Sequence, residues 1–286
     1  MYTIANYSKK IAAVLVIGFS SFAAFSQDIV VAGATPRVFT HDAMADTNNE
    51  SVLAFMPDGK TAFIADGQTI VYSTLANGKW SKTTTAPFSG HWKDWDPAMK
   101  PDGSRLVFVS NRPLENMPQD SAQKNNHLWY VDHLSNGEWS APHHFDAPVN
   151  ETGYNDYGPS VSGIGSVCFC SRNRNGNKGM GGYYAKWLGD RYAKPELLSL
   201  NGTSEIFDPF IAPDESYIIF VSNGQLYISY RAGSGWAQGT KLSAVVNNGN
   251  SNSDPYVSPD GKMLYYNQDK TNGILMIAIH IPGRKG

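Results

Sequence analysis

Asp96-Pro97-Ala98-Met99-Lys100-Pro101-Asp102-Gly103 reads as a short apolar strand that runs into a tight turn, and the chain repeats it. Related stretches are Ala54-Phe55-Met56-Pro57-Asp58-Gly59-Lys60, Asp208-Pro209-Phe210-Ile211-Ala212-Pro213-Asp214-Glu215 and Asp254-Pro255-Tyr256-Val257-Ser258-Pro259-Asp260-Gly261. A degenerate copy is Gly158-Pro159-Ser160-Val161-Ser162-Gly163-Ile164-Gly165. With the second proline (or Gly163) as marker, successive copies lie 44, 62, 50 and 46 residues apart. A period of this size, filled with short strands, is the signature of a β-propeller.

Each unit reads as four strands. The first ends at the Pro-Asp-Gly turn, where Pro at the second and Gly at the fourth position suit a type I turn. The second is near-continuously apolar, as in Leu106-Val107-Phe108-Val109 and Ile218-Ile219-Phe220-Val221, which predicts burial on both faces between neighbouring blades. The third is aromatic-rich, as in Leu128-Trp129-Tyr130-Val131. A turn with an aromatic follows at Gly78-Lys79-Trp80, Gly137-Glu138-Trp139, Asp190-Arg191-Tyr192 and Gly235-Trp236, marking a hairpin into the fourth strand. The fifth unit lacks that hairpin. Thr35–Thr40, ahead of the first unit, can supply the missing strand and close the ring, which removes two sheet edges. The expected fold is therefore all-β, a five-bladed propeller of four-stranded blades sealed by the N-terminal strand. A sixth blade would have to hide in residues 27–47 plus the long second unit.

Composition agrees. The 286 residues are 41% hydrophobic and only 17% charged, with 27 Gly and 16 Pro dispersed along the chain, which excludes disorder. Lys9-Lys10, the apolar run from Ile11 to Phe25 and the small residues Ala24 and Ser26 predict a secretory signal peptide over 1–26. Residues 27–286 are then the propeller, without a second domain, exported to the periplasm or beyond. Removing Lys9 and Lys10 takes the formal charge from −2 to −4, so no nucleic acid is expected as partner, and no membrane span. The protein is expected to act as a monomer. The only cysteines, Cys168 and Cys170, are about 6.6 Å apart along a strand, too far to bridge, and read as core residues.

The pattern Asp-Pro-x-x-x-Pro-Asp-Gly, an apolar strand ending in Phe, then Ser110-Asn111-Arg112 or Ser222-Asn223, resembles the TolB-like class of WD-type propeller repeats over residues 48–280. That resemblance implies the propeller fold. It also implies a protein-binding role on the periplasmic side of an outer membrane, although related repeats accompany hydrolytic domains.

In a propeller the Pro-Asp-Gly turns lie on one face, and the links between blades gather with the second-to-third-strand loops on the other, around an axial funnel. The funnel face is the default ligand site. Glu50, Asp94 and Asp156 share one register, seven residues before the marker, and are ligand candidates. Asp96, Asp208 and Asp254 follow two residues later than that register, where an aspartate before proline commonly fixes a backbone link. Trp95, Tyr157, Arg112, Arg172 and Arg174 complete the candidate set with Asp208 and Asp254. Arginine forks suit carboxylates or sulfates, and flat rings suit sugar faces. A glycan or protein partner at the funnel is the first expectation. The alternatives are a glycoside hydrolase using carboxylates from different blades and a metal-dependent lactonase. Neither a Gly-x-Ser-x-Gly elbow nor a His-Glu-x-x-His motif occurs, and no cofactor or metal is expected. Two loops break the repeat: the insertion Pro113–Asn126, which reads as a lid or selectivity loop, and the basic, Gly-rich Arg172–Gly179.

Overall fold

A computed structural model describes residues 28–39, 50–114, 117–202 and 205–282. The expected signal peptide lies outside the described residues. The described chain forms five antiparallel sheets, the blades of a propeller. Innermost strands are Glu50–Phe55, Asp94–Met99, Asp156–Val161, Phe207–Ile211 and Asn252–Val257. The second strands are Thr61–Asp66, Arg105–Ser110, Val167–Arg172, Tyr217–Ser222 and Met263–Gln268. Third strands are Thr69–Ala76, His127–Asp132, Met180–Ala185, Gln225–Ala232 and Leu275–Ala278. Outer strands are short, two residues each, as at His143–His144 and Glu196–Leu197.

Ring closure takes the expected form. Arg37–Val38 pairs antiparallel with the last strand, Arg37 opposite Met276 and Val38 opposite Leu275. Ile29 and Phe39 on either side of this strand are buried or half-buried against neighbouring blades. The core is five apolar clusters, one at each junction between adjacent blades, including the junction of the fifth with the first. This is why the second strands are apolar on both faces: Leu106 and Phe108 face the first blade, Val107 and Val109 the third.

The hairpin aromatics lock these junctions. Trp139 meets Phe63 of the preceding blade edge-on, with ring centroids 5.5 Å apart. Trp236 meets Tyr184 (6.1 Å), Tyr192 meets Phe145 (5.7 Å), and Trp80 meets Phe39 of the closing strand (5.8 Å). Each of the first four blades thus presses an aromatic onto the blade before it, the fifth standing before the first.

In the Pro-Asp-Gly turns the aspartate accepts the N–H two residues on: Lys60 to Asp58, Ser104 to Asp102 and Lys262 to Asp260. The residue after the aspartate is left-handed, which suits Gly59, Gly103 and Gly261. The fourth turn puts Glu215 there at φ 58°. Its carboxylate accepts Ser162 Oγ–H (2.8 Å), Tyr184 O–H (2.8 Å) and Arg231 N–H (2.9 Å), so the strained residue fastens the fourth blade to the third. Cys168 and Cys170 are buried free thiols.

Candidate functional site

Every innermost strand carries a one-residue bulge near its start. In four blades a residue of the bulge is left-handed: Asp96 (φ 52°), Gly158 (φ 51°), Asp208 (φ 47°) and Asp254 (φ 53°). Aspartate and glycine are among the residues that enter this region readily. Each is followed by a proline, which has no N–H to lose where the ladder is interrupted. The recurring Asp-Pro pair is thus a bulge motif, and it brings three carboxyls from three blades to the mouth of the axis.

Two of these carboxylates join one blade to the next. Asp96 accepts the Gly158 N–H at 2.9 Å, and Asp208 accepts the Asp254 N–H at 3.3 Å. The third blade has no carboxylate here, so the Asp208 N–H turns instead to Cys170 Sγ, at 3.2 Å. Asp254 is held within its own blade by Ser253 Oγ–H (2.7 Å) and Asn267 Nδ2–H (3.0 Å). The groups are deep in the molecule yet half-exposed on the channel wall. Burial, reinforced by the charge of Asp254, pushes the Asp96 carboxyl up to about 7 against a small opposing effect of the Gly158 N–H. Burial, with Asp254 and Asp96 adding like charge, raises Asp208 well above the usual carboxylate range.

The axial cavity beside these carboxyls is only about 50 Å³, walled by Val52, Ala98, Pro159, Asp208, Asp254 and Tyr256 among others. That admits water but no organic ligand, whose pockets run to about 300–1,000 Å³. Any ligand of this face therefore rests on the mouth.

The structure divides the candidate residues into two sets. Asp94 and Arg112 are both buried and bonded to each other at 2.6 Å. Ser110 and Ser89 Oγ–H also donate to Asp94, and Arg112 donates to the Phe88 carbonyl. Asp156 and Arg174 are both fully buried and paired at 3.2 Å, and Arg174 also donates to the Val149 carbonyl at 2.6 Å. These four side chains clamp the inter-blade links and offer no polar atom to the mouth. Arg174, expected as a ligand candidate on a basic loop, is instead among the largest fully buried side chains, because its guanidinium is the partner that makes a buried Asp156 tolerable. Of Glu50 the backbone alone is described, paired with Asp66. The other set surrounds the bulges: half-buried Trp95 and Tyr157, exposed Arg172, and Asp208 and Asp254. Phe207 joins it, one residue before Asp208 and 36% exposed.

A further set of joints lies outside the candidate residues. Asn150 and Asn247 each hold the start of a third strand with both ends of the side-chain amide: Asn150 on the Leu128 N–H and carbonyl, Asn247 on those of Leu226. Ser89 does the same for the Ile70 N–H at 3.0 Å. Their register, 12 or 13 residues before the marker, is the signal that could have found them.

No family model and no curated protein matches the chain. Solved structures do. A TolB candidate from Agrobacterium tumefaciens is 17% identical, over 77% of this chain and 69% of that one, at a TM-score of 0.52. The likeness is one of fold. A soluble aldose sugar dehydrogenase from Escherichia coli (12% identical, 85% and 99% covered, TM-score 0.45) is more distant. So is the calcium-binding protein regucalcin from A. tumefaciens (14%, 83% and 92%, 0.46). Among the described residues no three His, Cys, Asp or Glu side chains are grouped to hold a metal ion. Among them, too, no helix is long and apolar enough to cross a membrane.

Proposed function

We propose that this is an exported, TolB-like propeller that binds a partner, without turnover, through its axial mouth. The observation that carries this reading is the use of the acids. Asp94 and Asp156 are locked to buried arginines, and Asp96 and Asp208 take up backbone N–H groups of the next blade. Groups that hold the ring together are poorly placed to exchange protons with a substrate. Around them stand Trp95, Tyr157, Phe207 and Arg172, a mixture of aromatic and arginine side chains that supplies binding energy at protein interfaces. Of the two partner classes, a protein fits a rim without a pocket better than a glycan does.

Hydrolysis is the second reading, favoured by one feature. Asp96 and Asp208 are held towards the protonated form while Asp254 stands close enough to act on both, and an acid beside a base is what glycoside cleavage needs. One experiment separates the two. The mature chain is screened against chromogenic glycosides and, in parallel, cross-linked to proteins of the exporting compartment. A cross-linked partner lost in Phe207→Ala and Arg172→Ala, with no turnover, supports binding. Turnover abolished by Asp208→Asn overturns it.

A further inference from the structure

We propose a second ligand site, a lateral cleft on the second blade that takes a neutral oligosaccharide. The blade is unlike the others in its link between second and third strands, which runs over residues 111–126 where the first and fourth blades use only 67–68 and 223–224. None of the insertion's described residues lines the axial channel. The insertion forms one wall of a cleft of about 710 Å³ whose opposite wall is the outer strand His143–His144. A second cavity, about 330 Å³, adjoins it and shares Leu114 and His144. None of the residues lining the cleft also lines the axial channel, so the proposal is independent of the mouth. Both volumes fall within the range of organic ligand sites, unlike the channel.

The lining has the chemistry of sugar recognition. Trp92 and His143 provide flat faces for the C–H surface of a pyranose, and His143 is backed by Tyr130, with ring centroids 5.3 Å and planes 29° apart, which the Arg105 guanidinium covers at 3.7 Å. Gln119 is fixed by its amide nitrogen to the Leu114 and Met117 carbonyls, 2.8 Å each, which leaves its carbonyl oxygen as an acceptor for hydroxyls. Trp129, almost completely buried, forms part of the cleft lining.

Charge selects a neutral ligand. The Arg112 guanidinium is cancelled by Asp94. Burial, helped by His127 beside it, pushes His144 down to about 4, so its ring is uncharged at neutral pH. Asp146 remains at the rim and disfavours an acidic glycan.

Titration calorimetry of the mature chain tests this with xylohexaose, maltohexaose and chitohexaose as neutral probes and a hexagalacturonate as the acidic one. At least one neutral hexasaccharide should bind. Trp92→Ala should weaken it about tenfold and Gln119→Ala severalfold, with melting temperatures measured to confirm folding. Because Gln119 is exposed, its variant tests the cleft even if Trp92→Ala is unstable. The proposal is overturned if no neutral probe binds, if the acidic probe binds more tightly, or if binding survives both cleft variants. Binding that is lost in Phe207→Ala but kept in Trp92→Ala also overturns it and moves the glycan to the mouth.

Discussion

Asp96→Asn should make the protein more stable, and only above acid pH. Asparagine keeps an oxygen for the Gly158 N–H and accepts the left-handed backbone at φ 52°, so the bulge survives and the charge alone is removed. In the folded wild type the carboxyl is pushed from 3.8 up to about 7 by burial and by Asp254. Between about pH 4 and 7 the folded state therefore keeps a proton that the unfolded chain has released. Wild-type stability falls across this window, at about 1.4 kcal/mol per pH unit for one group, and levels off above it. From pH 5 to pH 8 the ceiling is about 2.7 kcal/mol, and water in the channel screens it to about 1–2 kcal/mol. In a domain of this size 1 kcal/mol moves the melting temperature by about 2–4 °C. Relative to wild type, the variant should gain about 2–8 °C between pH 5 and pH 8 in thermal unfolding followed by circular dichroism. An offset that is the same at both pH values would refute the account of Asp96 as a buried, titrating joint.

Other perturbations address the joints and the closure. Arg174→Met strands the fully buried Asp156 carboxylate and should cost about 3–5 kcal/mol in urea unfolding, much of it regained in the double variant with Asp156→Leu. Gly158→Ala puts a Cβ 3.2 Å from Asp208 Oδ1 on a left-handed backbone and should cost about 1–2 kcal/mol, read as a fall of several degrees in melting temperature. Deleting residues 28–39 removes the closing strand, buried Ile29 and the Phe39 packing on Trp80, and should lower stability by about 3 kcal/mol or more. An unchanged denaturation midpoint in that truncation would mean the ring does not depend on its N-terminal strand.

The acids of this propeller illustrate how a repeat distributes its polar groups. In each register the same backbone need recurs, an unpaired N–H at a bulge or the exposed start of a third strand, and the chain meets it with whichever side chain reaches. Asp96 and Asp208 serve the bulge amides of the blades that follow. Ser89, Asn150 and Asn247 serve the third strands. Where one blade lacks the usual group, as the third does at Gly158, the neighbour finds another acceptor in Cys170. An acid that recurs in register therefore first invites a structural explanation, and a feature that breaks the repeat, such as the 111–126 insertion, is a better guide to a ligand.

The blade count, the order of strands within a blade and the closing N-terminal strand could all be read from the residues. They follow from local rules: turn chemistry in Pro-Asp-Gly, alternation or its absence in short strands, and a fixed spacing between copies. The role of Asp96 and Asp208 as links was legible for the same reason, because the repeat itself supplies the partner. What the sequence could not convey was how deeply the loop side chains are buried and what they enclose. Arg112 and Arg174 stand in loops that look solvent-facing, and their burial depends on Asp94 and Asp156, 18 residues earlier, folding beneath them. The lateral cleft is likewise invisible in one dimension. It arises because Pro113, Leu114 and Gln119 come to face an outer strand about 25 residues later, and only packing in three dimensions fixes whether such a segment covers the axis or leaves a hollow at the blade's flank.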